Sequence, residues 1–186
     1  MSDPTDGAVL ANLSVLDAHA PSGFPADWPA DYRLFFSPLD DVHGVLVSCL
    51  AAARESVAVA MYGFDDDALA DILEQKLTAE HVAVQLTLDS SQAGGVHERR
   101  LLAREDYPRS IVAVGRSEKG AIMHQKIMVV DGILTVTGST NWSASGEQQQ
   151  DNECSVRLGR AVASRARARC DAIHAHMLAQ GTKGAT

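Results

Sequence analysis

The chain has 186 residues, of which 46% are hydrophobic, and its formal net charge is −8. This length fits one domain with a sizeable core, and the acidic balance excludes a uniformly basic nucleic-acid binder, while a local basic cleft stays compatible with it. No apolar run is long enough to span a bilayer, and the acidic N-terminus lacks the basic and apolar regions of a signal peptide. Three isolated cysteines predict free thiols in a reducing compartment. We therefore predict a cytoplasmic protein without stable membrane association.

Residues 1–31 are predicted to form an N-terminal extension, because prolines interrupt the segment before the first strand pattern begins. A short apolar stripe from Val9 to Leu16 indicates a helix. We interpret this helix as lying on the surface of the core, and an arm that reaches a second subunit is the other interpretation.

Residues 32–89 alternate between strand and helix patterns. Apolar runs and period-two alternation predict three strands, at residues 32–38, 56–61 and 82–89. An amphipathic stripe that starts after Asp40 or Asp41 predicts one helix, and the acidic group at residues 65–67 opens another. This order predicts α/β packing with a largely parallel start.

Basic residues cluster in the middle of the chain. Arg99 and Arg100 follow a glycine pair, and Arg116 and Lys119 lie in the loop between a short predicted strand at residues 111–114 and His124. These four side chains are candidates for a rim that contacts an anionic polymer. A solvated charged surface is the other interpretation of each.

The most informative stretch begins at Met123. Residues 123–130 are predicted to form a strand, the following Asp-Gly pair a hairpin turn, and residues 134–137 the return strand. Because side chains alternate along a strand, His124 and Lys126 are expected on the same face. Ser139 and Asn141 follow in a Gly-Ser turn.

These groups suit an attack on a phosphate ester. A neutral imidazole acts as nucleophile or base near pH 7, so His124 is the candidate for either role. Lys126 can hold a phosphoryl oxygen and offset charge in the transition state. Ser139 and Asn141 can donate further hydrogen bonds to the phosphate.

The last part of the chain returns to regular elements. Residues 143–151 are predicted as a loop or a short helix, residues 153–158 as a strand, and residues 161–179 as a terminal helix with a buried stripe that includes Val162. Residues 181–186 are predicted as a flexible tail.

The ordered set of polar residues resembles the phospholipase D superfamily. His124, Lys126 and Asp131 match its HxKx4D motif, Ser139 and Asn141 fall in its GSxN segment, and Glu153 falls where the family has a downstream glutamate. Further family-like segments extend the resemblance to residues 32–178; they are Phe36-Ser37-Pro38, Tyr62-Gly63-Phe64 and Asp89-Ser90-Ser91-Gln92.

The resemblance implies a fold and a site. The fold is a single α/β domain at residues 32–180, with a mixed, largely parallel sheet flanked by helices, as in phospholipase D-like proteins. The implied catalytic residues are His124, Lys126, Asp131 and Glu153, and the implied phosphate-binding residues are Lys126, Ser139 and Asn141. Glu153 is expected to accept a hydrogen bond from the imidazole. The Asp-Gly turn alone accounts for an aspartate at position 131, so we expect the role of Asp131 to be structural first and chemical second.

The presence of one motif bears on assembly and substrate. A displacement through histidine needs a second acid–base group, so the resemblance to the family's small single-motif bacterial nucleases implies a homodimer that shares one site across a two-fold axis. The predicted activity is metal-independent hydrolysis of DNA through a phosphohistidine. RNA is considered as a further substrate, and we expect no metal or other cofactor. The alternatives are a phosphodiesterase acting on phospholipids of the cardiolipin type, and a nucleic-acid-binding module with a relic site.

Overall fold

The computed structural model describes residues 8–93 and 110–183, and within them seven strands form one sheet. The sheet has the spatial order β1-β7-β6-β5-β2-β3-β4. The strands are β1 (Tyr32–Ser37), β2 (Ser56–Met61), β3 (Ala83–Asp89), β4 (Val112–Gly115), β5 (Lys126–Val130), β6 (Leu134–Gly138) and β7 (Asn152–Leu158).

Helices cover both faces of this sheet, and a short 3-10 helix at Leu13–His19 precedes it. The α-helices are α1 (Ala8–Ala11), α2 (Val42–Ala51), α3 (Asp67–Thr78), α4 (Ser90–Ala93), α5 (Ala144–Gln148) and α6 (Arg160–Lys183). None of those in the described ranges is long and apolar enough to cross a membrane.

The sheet is mixed, which confirms the predicted α/β fold. Strands β2, β3 and β4 run parallel to one another, as expected for strands joined through helices. The β5–β6 hairpin, β7 and β1 are antiparallel to their neighbours, so the parallel part is confined to one half of the sheet.

Local sequence accounts for most of these elements. The side chains of Asp41 and Asp66 cap α2 and α3, each accepting a hydrogen bond from a backbone N–H three residues on. Strand β2 is buried on both faces, as its unbroken apolar run predicts. Asp131 and Gly132 have φ angles of 50° and 61°, so they form the predicted hairpin turn of the primed type.

Two boundaries and one buried position differ from the prediction. Strand β5 begins at Lys126, so His124 precedes the strand instead of lying on it. Helix α6 extends to Lys183 and takes up half of the predicted tail. On that helix Val162 is 41% exposed and Ala163 is buried instead, whereas Cys170, Ile173 and Met177 of the predicted stripe are buried.

The described part of the N-terminal extension packs on its own chain. Leu13 and Leu16 are fully buried in the main core. The side chain of Asp17 accepts a 2.5 Å hydrogen bond from Nε of Arg33 on β1, and Nδ1 of His19 lies 2.8 Å from Oδ2 of Asp41. These contacts agree with a segment that covers the core, the interpretation favoured above.

The directions of the strands determine which strand ends lie together at the candidate site. The carboxyl ends of β1, β2, β3, β4 and β6 and the amino ends of β5 and β7 all lie along one edge of the sheet, which we call the functional edge. Side chains at the strand ends, and in the segments attached to them, therefore converge there although the sequence separates them widely.

Candidate functional site

His124 and Lys126 lie at the functional edge, at the amino end of the central strand β5. Lys126 pairs with Met61 of β2 and is 6% exposed, whereas His124 is exposed. The Lys126 ammonium donates a 3.3 Å hydrogen bond to the carbonyl oxygen of His124. A reactive imidazole is thus open to solvent beside an ammonium that is almost wholly covered.

Tyr62 contacts both of these side chains, although sequence reasoning gave it no role. Its ring centre is 4.6 Å from that of His124 in an edge-on arrangement and 4.9 Å from Nζ of Lys126. Its hydroxyl accepts a 3.1 Å hydrogen bond from Nε2 of Gln92. Tyr62 follows strand β2, whose neighbour in the sheet is β5, so only the strand order reveals the contact.

The electrostatics of Lys126 favour anion binding. Burial lowers its pKa to about 8, because a charged amine is poorly solvated beneath the surface. Within the described ranges no carboxylate forms an ion pair with it. A phosphate oxygen of a substrate would therefore be the negatively charged partner of this ammonium.

Asn141 lies against the loop that follows Tyr62. Its Oδ1 accepts a 3.3 Å hydrogen bond from the N–H of Gly63, and a Cβ at Gly63 would come within 3.1 Å of the amide carbon. The glycine therefore allows this close approach. With Oδ1 used in this way, the Asn141 amide nitrogen remains a donor for substrate.

Ser139 has a structural role in this chain. Its hydroxyl donates to Oδ1 of Asn152 at 2.8 Å and accepts from the N–H of Glu153 at 3.0 Å. These bonds fasten the turn after β6 to the start of β7. The predicted contact between Ser139 and phosphate stays a prediction, with the hydroxyl's hydrogen directed to Asn152.

Glu153 does not hold the imidazole within one chain. No hydrogen bond joins its carboxylate to His124 across the described ranges, which corrects the expected contact. The reason is that Glu153 lies on β7, separated from β5 by β6. Glu153 instead borders a narrow cleft that Lys126 and Gly138 also line.

Asp131 lies at the opposite edge of the sheet. Its carboxylate accepts hydrogen bonds from the N–H groups of Arg54, Glu55 and Ser56, at 2.9, 2.8 and 2.8 Å. Strand β5 separates it from Lys126 by roughly 16 Å. The catalytic role predicted for Asp131 is therefore corrected to a structural one, in which it anchors the start of β2 to the hairpin turn.

Asp89 holds the segment that bears His124. It is fully buried at the end of β3, and its Oδ2 accepts a 2.6 Å hydrogen bond from the N–H of Met123. Its Oδ1 accepts hydrogen bonds from the N–H and the hydroxyl of Ser91. The backbone one residue before the imidazole is thus fixed to the sheet, which explains why β5 does not start earlier.

We expect Asp89→Asn to lower both the free energy of unfolding and the rate of substrate cleavage. The amide turns an acceptor into a donor that faces an N–H, which costs about 1–3 kcal/mol of stability, and a displaced His124 loses roughly 10- to 100-fold in rate. The measurement is kcat/KM beside thermal unfolding. Ser91→Ala, which removes only the hydroxyl donor, is the matched control, and full activity in a folded Asp89→Asn protein would contradict the role.

The predicted basic rim is only partly described. Arg99 and Arg100 lie outside the described residues. Nη1 of Arg116 is 3.9 Å from Oδ1 of buried Asp89, so this side chain supports the site. Lys119 is exposed in the loop that leads to His124 and stays a candidate for substrate contact.

A cavity of about 100 Å³ opens beside His124, between the Ser117–Gln125 loop and α6. Arg169 and His176 line it, and Nη1 of Arg169 donates a 3.1 Å hydrogen bond to Glu118. Neither residue was predicted to lie near the site. The helix therefore adds a cation and a second imidazole to the surroundings of His124.

One group of metal-ligating side chains lies elsewhere in the described structure. It comprises His43, Asp66 and Glu147, which come from three separate elements. No motif spacing relates positions so far apart, so the three residues could not be grouped from local patterns. Cys170 and His174 lie four residues apart on α6, a spacing that can bind zinc, but Cys170 packs in a core and Nδ1 of His174 lies 2.9 Å from the Thr87 hydroxyl.

Comparisons with known proteins agree with this geometry. The family model described as cardiolipin synthase, PLD-like domain, matches residues 46–173. A curated phospholipase D from Rickettsia bellii is 25% identical over 114 residues, covering 61% of this chain and 54% of that protein. The chain therefore spans about half the length of that relative.

Solved structures share the fold. Nuc, a phospholipase D family member from Salmonella typhimurium, has a TM-score of 0.69 at 17% identity, covering 78% of this chain and 94% of that one. NucT from Helicobacter pylori has a TM-score of 0.67 at 23% identity, with 76% and 94% covered. A phosphatidylserine synthase from Haemophilus influenzae has a TM-score of 0.59 at 12% identity, with 74% and 37% covered.

The family match includes the strand pair that presents His124, Lys126 and Asn141, and it extends over more than half of the chain. The mixed sheet is the fold of the solved relatives. This chain belongs to the phospholipase D-like family.

Proposed function

We propose that the chain is a phosphodiesterase that hydrolyses nucleic acid, DNA foremost, through a phosphorylated histidine. The observation that carries the proposal is the exposed His124 imidazole beside the almost buried Lys126 ammonium, for which the described residues provide no carboxylate. Such a site has a solvent-accessible nucleophile and a cation that can bind a phosphate oxygen.

The proposed reaction proceeds in two displacements. A ring nitrogen of His124 attacks phosphorus, the bond from phosphorus to the leaving oxygen breaks, and a second imidazole gives that oxygen a proton. Lys126 and the Asn141 amide hold the non-bridging oxygens while charge develops. Water then attacks the phosphohistidine and loses its proton to the second imidazole, which frees the phosphate monoester and restores both histidines. Neither step needs a metal ion.

The second imidazole comes from a partner copy in this proposal. One chain has a single HxKx4D motif, and a two-fold axis at the functional edge would bring two His124 side chains to one phosphate. His176, which lines the cavity beside His124, is the competing donor within one chain. The two cases predict different behaviour on mixing of subunits, as described in the Discussion.

Nucleic acid is favoured as substrate by the cations near His124. Lys119 is exposed, and Arg169 lines the adjoining cavity. The three cysteines are free and buried, in agreement with the reducing cytoplasm that we propose as its location. Phosphate contacts by these cations would give affinity without base preference.

A phospholipid is the second candidate, and one observation favours it. Phe36 is 46% and Leu39 78% exposed, and both line an open cleft that Ser139 and Glu153 also line. An apolar surface beside the site could contact acyl chains. It is also the kind of surface that a second copy covers in a dimer.

The deciding experiment offers both substrate classes in excess EDTA. Labelled single- and double-stranded DNA and a matched RNA are incubated with the protein at 25 °C, beside vesicles that contain cardiolipin. We expect the nucleic acid to be cut and the lipid to remain intact. If lipid is hydrolysed while DNA and RNA stay intact, the substrate is a phospholipid instead of nucleic acid. If neither class is hydrolysed, the proposed phosphodiesterase activity is wrong.

A further inference from the structure

Three side chains outside the reaction site converge on one point. His43 lies on α2, Asp66 caps α3 and Glu147 lies on α5. Nδ1 of His43 is 2.5 Å from Oε2 of Glu147 and 3.2 Å from Oδ2 of Asp66. One nitrogen therefore faces two carboxylate oxygens, and a single N–H can be donated well to only one of them.

The charges in this cluster do not balance. The Glu147 side chain is fully buried, the Asp66 side chain is 10% exposed, and within the described ranges neither forms an ion pair with a lysine or arginine. With both carboxylates ionised, even a protonated His43 leaves one negative charge over, and burial raises the pKa of Glu147 to about 7 because that charge is poorly solvated. A buried charge of this kind is costly without a partner.

One oxygen of the cluster also lacks a hydrogen bond. Oε1 of Glu147 is buried and has no hydrogen-bond partner in the described structure, whereas the other Asp66 oxygen accepts a 2.8 Å bond from the N–H of Leu69. Leaving such an atom unsatisfied costs about 1–3 kcal/mol. A bound cation would remove this cost and the excess negative charge together.

We propose that His43, Asp66 and Glu147 form a binding site for a divalent transition-metal ion of the zinc type. An imidazole nitrogen with two carboxylates is a ligand set that such ions accept, at bond lengths of about 2.0–2.2 Å. The separation of 3.2 Å between His43 and Asp66 fits two ligands on one ion, while the His43–Glu147 contact widens to admit it. Water completes the coordination through the exposed side of His43.

The ion would act as a structural clamp. It joins three helices around the segment that bears Asn141, where Asp65 donates its N–H to the carbonyl oxygen of Trp142 at 2.8 Å and Trp142 donates to Gly63 at 3.0 Å. No hydrogen bond, ion pair or ring contact connects the cluster to His124 or Lys126 among the described residues. Removal of the ion should therefore loosen the fold without stopping the reaction.

The test is zinc binding and thermal unfolding of the full chain after removal of metal with a chelator. We expect one Zn²⁺ per chain by calorimetric titration, and a rise in Tm of roughly 5–10 °C when free zinc exceeds Kd a hundredfold. Cleavage of DNA in EDTA at 25 °C should persist. No saturable zinc binding to the wild type, or no shift in Tm, would overturn the site.

Matched variants separate this site from the other histidines. Asp66→Asn, which keeps the helix cap, and Glu147→Gln should each lose the zinc-dependent shift in Tm. His19→Gln removes a histidine that pairs with one carboxylate only and should keep the shift. His43→Arg offers both carboxylates a fixed positive fork, so it should fold stably without responding to zinc. A full zinc response in Glu147→Gln or His43→Arg would assign the binding to other residues.

Discussion

His124→Gln should lower the kcat/KM for DNA cleavage about 10³- to 10⁴-fold, since the amide can neither form the phosphorylated intermediate nor transfer a proton. The His124 side chain is exposed, so stability should change by less than about 0.5 kcal/mol. Single-turnover cleavage of a labelled oligonucleotide, beside thermal unfolding, measures both effects. Retained cleavage in the variant would remove the histidine mechanism.

The matched control is His176→Gln, which removes the other imidazole near the same cavity. If the second imidazole comes from a partner subunit, this control keeps most of the activity. If it comes from the same chain, the control loses activity to a similar extent as His124→Gln, and the shared site is wrong.

Mixing of subunits tests the shared site directly. When equal amounts of wild type and His124→Gln are unfolded and refolded together, a site that needs both copies of His124 leaves about a quarter of the wild-type activity, because only one dimer in four has two intact histidines. Independent sites leave about half. Sedimentation of the same mixture confirms that the chains are paired.

Lys126→Met should abolish most activity and stabilise the protein. Loss of the cation beside the phosphate lowers the rate about 10²- to 10³-fold. Burial lowers the pKa of Lys126 to about 8, so the folded state disfavours the charge, and methionine should raise the free energy of unfolding at pH 7 by about 1–2 kcal/mol. Denaturant unfolding and cleavage assays measure the two effects.

The difference in stability between the wild type and Lys126→Met should change with pH. The folded pKa of Lys126, about 8, lies below the unfolded value near 10.5, so the unfolded chain binds more protons between these values. Stability of the wild type should therefore rise across this window relative to that of Lys126→Met, and the difference should be largest at low pH. A constant difference from pH 7 to pH 10 would contradict the buried ammonium.

Lys76 provides a matched control for stability. It is 3% exposed, but its ammonium donates a 2.7 Å hydrogen bond to Glu80 on the same turn of chain. Lys76→Met removes a buried ammonium that already has a carboxylate partner, so we expect no gain in stability and no loss of cleavage. A gain equal to that of Lys126→Met would mean that burial of any lysine here, rather than the missing partner, causes the effect.

Local patterns in the sequence predicted the elements and the principal reactive residues. The unbroken apolar run at residues 56–61 coincides with β2, and the Asp-Gly pair forms the expected turn, because burial and turn chemistry are properties of short segments. His124 and Lys126 were identified for the same reason, since their spacing across one strand end is local. The pattern placed the start of β5 too early, because the bond from Met123 to Asp89 is not local.

The sequence by itself determined the α/β class, the order of its strands along the chain, and the presence of an imidazole and an ammonium beside a Gly-Ser turn. The tertiary structure decided which residues meet. It placed Tyr62 against His124 and Lys126, and it gathered His43, Asp66 and Glu147 into one cluster. These outcomes depend on strand order and direction, because hydrophobic periodicity reports how deeply a residue is buried but not which distant residue lies beside it.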